Sequence, residues 1–188
     1  MEIIGTERYI LRKRGLPAAI SGHEITVYAC GLRLAEARHL KTSDIDRARM
    51  QLRVRKGKGG KERVLPLSNR LLKELGDYWR AQRQGKWGDD IPWLFLGYRG
   101  EPICTTSGQN IFYRAVKKSG VRYKGGIHTL RHSFATHLIE SGVELPVVQR
   151  LMGHASLMTT ALYLHVTECR LGEVRSPLDL IDTSHLEP

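Results

Sequence analysis

The sequence predicts an α+β chain, mainly α, in which one small antiparallel sheet interrupts a series of helices. Three observations lead there. Apolar residues recur at helical spacing in separate stretches, as in Leu71, Leu72, Leu75, Tyr78 and Trp79. Residues 51–55 instead alternate with period two, and a second strand-like run at 63–67 answers them across a glycine-rich tip. Gly31, Gly120, Gly142 and Gly153 punctuate the helical runs, where a helix needs a residue that tolerates a left-handed backbone.

Composition bounds the possibilities. A chain of 188 residues suits one domain with tails, and a hydrophobic fraction of 41% is enough to pack a core. Thirty Lys and Arg face 19 Asp and Glu, giving a net charge of +11 and a pI near 9.9. That imbalance favours a polyanionic partner, with nucleic acid the default. The three cysteines, Cys30, Cys104 and Cys169, are far apart and form no CxxC pair. They predict free thiols in a reducing compartment. No uncharged apolar run approaches the ~18 residues of a membrane span, and no apolar segment marks a secretory signal. A cytoplasmic protein without a membrane partner is expected.

Taken in order, residues 1–22 show no sustained period and are broken by Gly15, Pro17 and Gly22. They are expected to be a poorly ordered arm, or sequence that does not belong to the fold. The domain itself is expected over 23–166. Ile25, Val27 and Tyr28 lead into Gly31, and Leu34, Ala37 and Leu40 continue on one helical face, so Arg33 falls at the junction of two short helices. Asp44, Ile45 and Asp46 are expected to make a turn. Between the two predicted strands, Lys56, Lys58 and Lys61 are interleaved with Gly57, Gly59 and Gly60 in a basic hairpin tip. It is not a phosphate-binding P-loop, because the GxxxxGK[ST] frame is absent. Pro66 falls near the end of the return strand, where a missing donor is tolerated.

Ser68 is expected to cap the helix that carries Leu71 to Trp79. Trp93, Leu94, Phe95 and Leu96 predict a short buried strand. Ser107 is expected to cap a helix with Ile111, Phe112, Ala115 and Val116 inward and Arg114 and Lys117 on its wet side. Thr129 is expected to cap a helix whose buried face is Leu130, Phe134 and Leu138. Leu145, Val148 and Leu151 mark another helix, and a last short one begins near Ser156 and presents Tyr163. Residues 167–188 form a tail with Leu171, Val174, Leu178, Leu180 and Ile181, too apolar for a simple solvated end.

Reactive side chains concentrate between His128 and His165. Imidazoles, a guanidinium and a phenol within this span are suited to binding a phosphodiester, stabilising its charge and attacking it. Each has a bland alternative. A lone tyrosine is more often a packed aromatic, Arg33 in isolation is a surface arginine, and a cationic helix face is often merely solvated. His128, His132 and His137 do not make a zinc motif, since HExxH and paired cysteines are both absent.

Gly31-Leu32-Arg33 followed by Glu36, the basic hairpin with Lys58, His128-x-x-Arg131-His132, Leu151-Met152-Gly153-His154, and Tyr163 nine residues later resemble, in that order and spacing, the catalytic domain of the tyrosine recombinases, the phage-integrase family. The resemblance runs from about Glu24 to His165. It implies a mostly helical catalytic domain with a small antiparallel sheet, acting on double-stranded DNA by strand cleavage and rejoining. Carried over position by position, it implies Tyr163 as nucleophile, Arg33 and Arg131 as the two arginines, Lys58 as the hairpin lysine, and His128 and His154 as the two histidines. Lys56, Lys61, Arg63, Arg114, Lys117 and His132 are candidate DNA contacts.

The chemistry explains the residue types. Two planar guanidiniums can offset the charge that gathers on a pentavalent phosphate, with no metal or other cofactor. A phenol with an ordinary pKa near ~10 needs a base or a strong positive potential to attack at neutral pH. His128 is the expected acceptor and Lys58 the expected acid for the leaving 5′ hydroxyl. A 3′-phosphotyrosine would conserve the bond energy, so ATP is not expected. Against the family pattern, the arm before the core is short for an N-terminal DNA clamp. The tail is expected to dock on a neighbouring protomer, giving a tetramer on DNA. Two other readings stay open: a type IB topoisomerase-like relaxing enzyme, and a truncated DNA-binding remnant without catalysis.

Overall fold

The computed structural model describes residues 22–55, 62–83, 90–120 and 125–163. Among these, helix α1 (Gly22–Ala29) is buried on nearly every side. It ends because Gly31 takes φ +56° while the Leu32 N–H donates back to the Val27 carbonyl at 3.1 Å. Arg33 is the extended residue before α2 (Leu34–Arg38), at the predicted junction. The Glu36 carboxylate accepts from the Arg33 backbone N–H at 2.8 Å, which satisfies an orphan donor at the start of this short helix.

A 3₁₀ turn (Thr42–Asp44) then leads into β1 (Ile45–Asp46). The expected turn at Asp44 to Asp46 is therefore only half right. Ile45 and Asp46 pair with Leu52 and Gln51 and add a third, edge strand to the sheet. Strands β2 (Gln51–Val54) and β3 (Arg63–Pro66) pair antiparallel, with Leu52 opposite Leu65 and Val54 opposite Arg63. The predicted alternation holds in β2, where Leu52 and Val54 are buried while Gln51 and Arg53 are exposed. In β3 the same alternation puts Arg63 on the inward side with Leu65. The tip carrying Lys56, Lys58 and Lys61 lies outside the described residues.

Helix α3 (Asn69–Arg83) starts as predicted, with the Leu71 N–H donating to the Ser68 hydroxyl at 3.1 Å. Leu71 and Leu75 enter the core. The buried segment at Trp93 to Leu96 is not a strand. It makes isolated bridges, Lys41 with Trp93 and Leu96 with Pro102, and stays in place through Leu94 N–H to Leu40 O (2.8 Å) and Ile103 N–H to Phe95 O (3.0 Å). Burial of Leu94 and Phe95 in the main core, with Leu96 also buried, accounts for their apolar run without a ladder.

Helix α4 (Thr105–Ser119) begins earlier than predicted. Cys104 is its cap, its sulfur accepting from the Ser107 N–H at 3.3 Å, so Ser107 lies within the first turn. Gly120 closes it at φ +71°. Helix α5 (His128–Glu140) likewise starts before its predicted cap, Ile127 holding that place and Thr129 the first turn. Its buried face is broader than expected: Leu130, Arg131, Ser133, Ala135, Thr136 and Ile139 are buried, while Phe134 and Leu138 are half-buried. Helices α6 (Leu145–Met152) and α7 (Leu157–Ala161) follow, the first closed by Gly153 at φ +61° and the second capped by Ser156.

Two apolar clusters result. The larger joins α1, the sheet, α3 and α4 around Phe95 and Leu32, and the smaller joins α5 and α6 through Ala135, Ile139, Val148 and Met152. Helix α1 packs on both α3 and α5 and so bridges the two. Among the described residues, no helix is long and apolar enough to cross a membrane.

Candidate active site

The site is built where the Gly31–Arg33 corner, β3, the start of α5 and the end of α6 meet. At its base lies Glu36, a buried carboxylate with its side chain 3% exposed. Arg63 grips it with two hydrogen bonds, to Oε1 at 2.8 Å and to Oε2 at 2.7 Å. Arg33 donates to Oε1 at 2.9 Å, and an Arg131 nitrogen stands 3.9 Å from Oε2. Burial alone would raise the Glu36 pKa. The Arg63 hydrogen bonds, the Arg33 backbone N–H and the Arg63 charge overcome that and hold it at about 2.

The three arginines find their other acceptors on three consecutive carbonyls at the end of α6. Arg63 Nε donates to Leu151 O at 2.9 Å, Arg131 to Met152 O at 2.5 Å, and Arg33 to Gly153 O at 3.1 Å. A helix C-terminus has unpaired carbonyls and partial negative charge, so it favours cations. Arg131 also donates to the Gly31 carbonyl across the corner. Burial and the neighbouring charge of Arg33 lower the Arg131 pKa to about 10, with Glu36 opposing, so it stays charged at neutral pH.

His154 follows this helix end directly. Its Nδ1 lies 2.9 Å from the Thr160 hydroxyl, and Thr160 is fully buried. Burial, then the fields of Arg131, Arg33 and Arg63, push its pKa down to about 4, so the ring is neutral at pH 7. Tyr163 lies two residues beyond α7, its N–H bonded to Thr160 O at 3.1 Å. Burial raises its phenol pKa, and the nearby charge of Arg131 opposes that rise.

The structure thus draws together Arg33, Arg131, His154 and Tyr163 from four separate segments. It differs from expectation at three positions. The phenol oxygen of Tyr163 lies 2.7 Å from Nδ1 of His132, the residue expected to touch DNA, and not on His128. His128 is exposed at the first position of α5, one turn before His132. Arg63, also expected at DNA, points inward with its guanidinium committed to Glu36 and Leu151, because strand alternation sends it that way. Arg114 and Lys117 are exposed on α4, Arg114 bonding the Asn110 carbonyl of its own helix. Lys58, Lys56 and Lys61 lie outside the described residues. His137 makes a structural contact, its Nδ1 lying 2.9 Å from the Tyr28 hydroxyl. Among the described residues, no group of three or more His, Cys, Asp or Glu stands together as a metal site.

Comparison with known proteins gives this arrangement a context. The model of the phage integrase family matches residues 24–170. The chain belongs to the phage integrase family. Among the relatives, the tyrosine recombinase XerA of Pyrococcus horikoshii is 38% identical over 161 residues, covering 85% of this chain and 54% of that protein. A crystal structure of XerA recombinase superposes with a TM-score of 0.70 at 29% identity, covering 91% of this chain and 59% of the other. A structure of the XerH site-specific recombinase bound to palindromic difH substrate, a post-cleavage complex, has a TM-score of 0.70 at 28% identity over 95% of this chain and 52% of the other. The chain spans 49% to 65% of the length of the first relatives it matches. The mainly helical architecture with a three-stranded antiparallel sheet thus matches the overall fold of solved recombinases.

Proposed function

We propose that this chain carries the strand-cleaving and rejoining centre of a site-specific DNA recombinase. The observation that carries the reading is the convergence of Arg33, Arg131, His154 and Tyr163 at the end of α6, in a chain of this family with +11 net charge. XerH, solved with its difH substrate, supplies the substrate class by likeness.

In this reading, the free N–H groups of Arg33 and Arg131 and the outer nitrogen of His154 hold the non-bridging oxygens of one phosphodiester. Their charge is fixed in place before substrate arrives, so little reorganisation is needed as the phosphate gains negative charge. The Tyr163 oxygen attacks phosphorus, a 3′-phosphotyrosine bond forms, and the bond to the 5′ oxygen breaks. Lys58 gives that oxygen its proton. The reverse attack by a 5′ hydroxyl rejoins a strand, and neither ATP nor a metal is required. Lys56, Lys61, Arg114 and Lys117 contribute contacts to the duplex backbone. The catalytic unit runs over 23–166. The tail of 167–188, outside the described residues, docks on a second protomer so that four copies assemble on cytoplasmic DNA.

The test is covalent trapping on nicked duplexes drawn from the DNA flanking the gene. A denaturing gel should show a protein–DNA adduct with the wild-type chain and none with Tyr163→Phe. An adduct that persists in Tyr163→Phe removes the nucleophile assignment. DNA binding without any adduct favours the non-catalytic reading.

A further inference from the structure

We infer that His132 is the base that holds Tyr163 and takes its proton when the phenol attacks. This rests on the recombinase reading above and replaces His128 in that role. Three features carry it. The His132 Nδ1 stands 2.7 Å from the phenol oxygen, the geometry a proton transfer needs. The two rings approach with centroids 5.7 Å apart and planes tilted by 46°, so they do not stack face to face. His132 also follows Arg131 directly on α5, so the phosphate-binding guanidinium and the proton acceptor share one rigid helical turn.

The electrostatics agree with the direction of transfer. His132 is exposed as a residue, but partial desolvation of its ring, then His128 and Arg131, lower its pKa, so the ring is neutral at pH 7 and able to accept. Burial raises the phenol, so Tyr163 keeps its proton until a base removes it. His154 is engaged elsewhere, with Nδ1 on Thr160. The groups that face His132 are His128 and Arg131 on its own helix, Tyr163 from beyond α7, and His154 after α6.

The step balances. The phenolic O–H bond breaks, its electron pair stays on oxygen and forms the O–P bond, and the proton moves to Nδ1 of His132. The ring then holds its other proton on the outer nitrogen as an imidazolium. On rejoining, the departing phenolate takes the proton back.

The experiment uses the whole chain and the nicked duplexes named above, from about pH 5 to about pH 9. His132→Gln is expected to slow adduct formation about 100-fold, within the range of general-base effects. The wild-type rate should fall as pH drops through the His132 pKa, and this limb should vanish in His132→Gln but persist in His128→Gln. Imidazole added to His132→Ala should restore part of the rate, which a packing role would not allow. A substrate whose leaving 5′ oxygen is replaced by sulfur needs no acid, so it should rescue Lys58→Ala but not His132→Gln. A wild-type rate and limb in His132→Gln, or a limb lost only in His128→Gln, overturns the assignment. No adduct from the wild-type chain at any pH overturns the recombinase reading, and this inference with it.

Discussion

Replacing the Glu36 carboxylate by an amide leaves Arg63 and Arg131 as buried cations without their counter-charge. Glu36→Gln is therefore expected to cost about 3–5 kcal/mol of stability, the usual penalty for breaking a buried ion pair from one side. Urea denaturation would measure it, and a loss below about 1 kcal/mol would show that the arginines find other partners. Arg63 illustrates what a sequence reveals at this scale. As part of a basic hairpin it suggests a DNA contact. Its place two residues before the buried Leu65 already puts it on the inward face, and that alternation was the available signal. The His132–Tyr163 contact had no such signal, because it depends on where α7 lands relative to α5.

At the scale of elements, the Gly31 corner joins α1 to α5. A Cβ built there would lie 2.3 Å from Phe134 Cδ1, at a φ of +56° that side chains rarely adopt. Gly31→Ala should cost about 2–4 kcal/mol, combining left-handed strain with overpacking. Thermal melting would register it, and adding Phe134→Leu should recover only the packing part. Helix and strand identities were legible because hydrophobic period and glycine stops are local. Two caps were displaced for a physical reason: Cys104 and Ile127 lie in chain already ordered by burial of Ile103 and Ile127, so each helix starts before its Ser or Thr. The apolar run at Trp93 to Leu96 misled because burial by helices and burial in a sheet demand the same residues.

For the whole molecule, acid should act in two windows. The His154 pKa is depressed from 6.5 to about 4, so its stabilising contribution is complete above about pH 6.5 and is lost as pH falls toward 4. Glu36, depressed from 4.5 to about 2, contributes fully above about pH 4.5 and loses its share toward pH 2. Melting temperatures of wild type and His154→Gln, compared between pH 7 and 4, should converge as the solution becomes more acidic. Parallel curves would deny His154 that role. The fold class and the four converging side chains were readable because motif order survives folding, even when 130 positions separate Arg33 from Tyr163 (163 minus 33). The buried carboxylate network beneath them was not readable, since it is made between segments far apart in the chain.

The carbonyls of Leu151, Met152 and Gly153 act as a gauge against which arginines from positions 33, 63 and 131 are each aligned. Leu151 and Met152 are the last residues of the helix and Gly153 is its left-handed cap, so the helix end fixes all three and the marks on this gauge cannot be moved singly. One residue inserted into or deleted from Leu145–Met152 would put all three arginines out of step together. Insertions in connections away from the Gly31–Arg33 corner would leave them aligned. A change of length within that one short helix therefore disturbs all three arginines at once, whereas a slip in β3 or α5 displaces only the arginine that element carries.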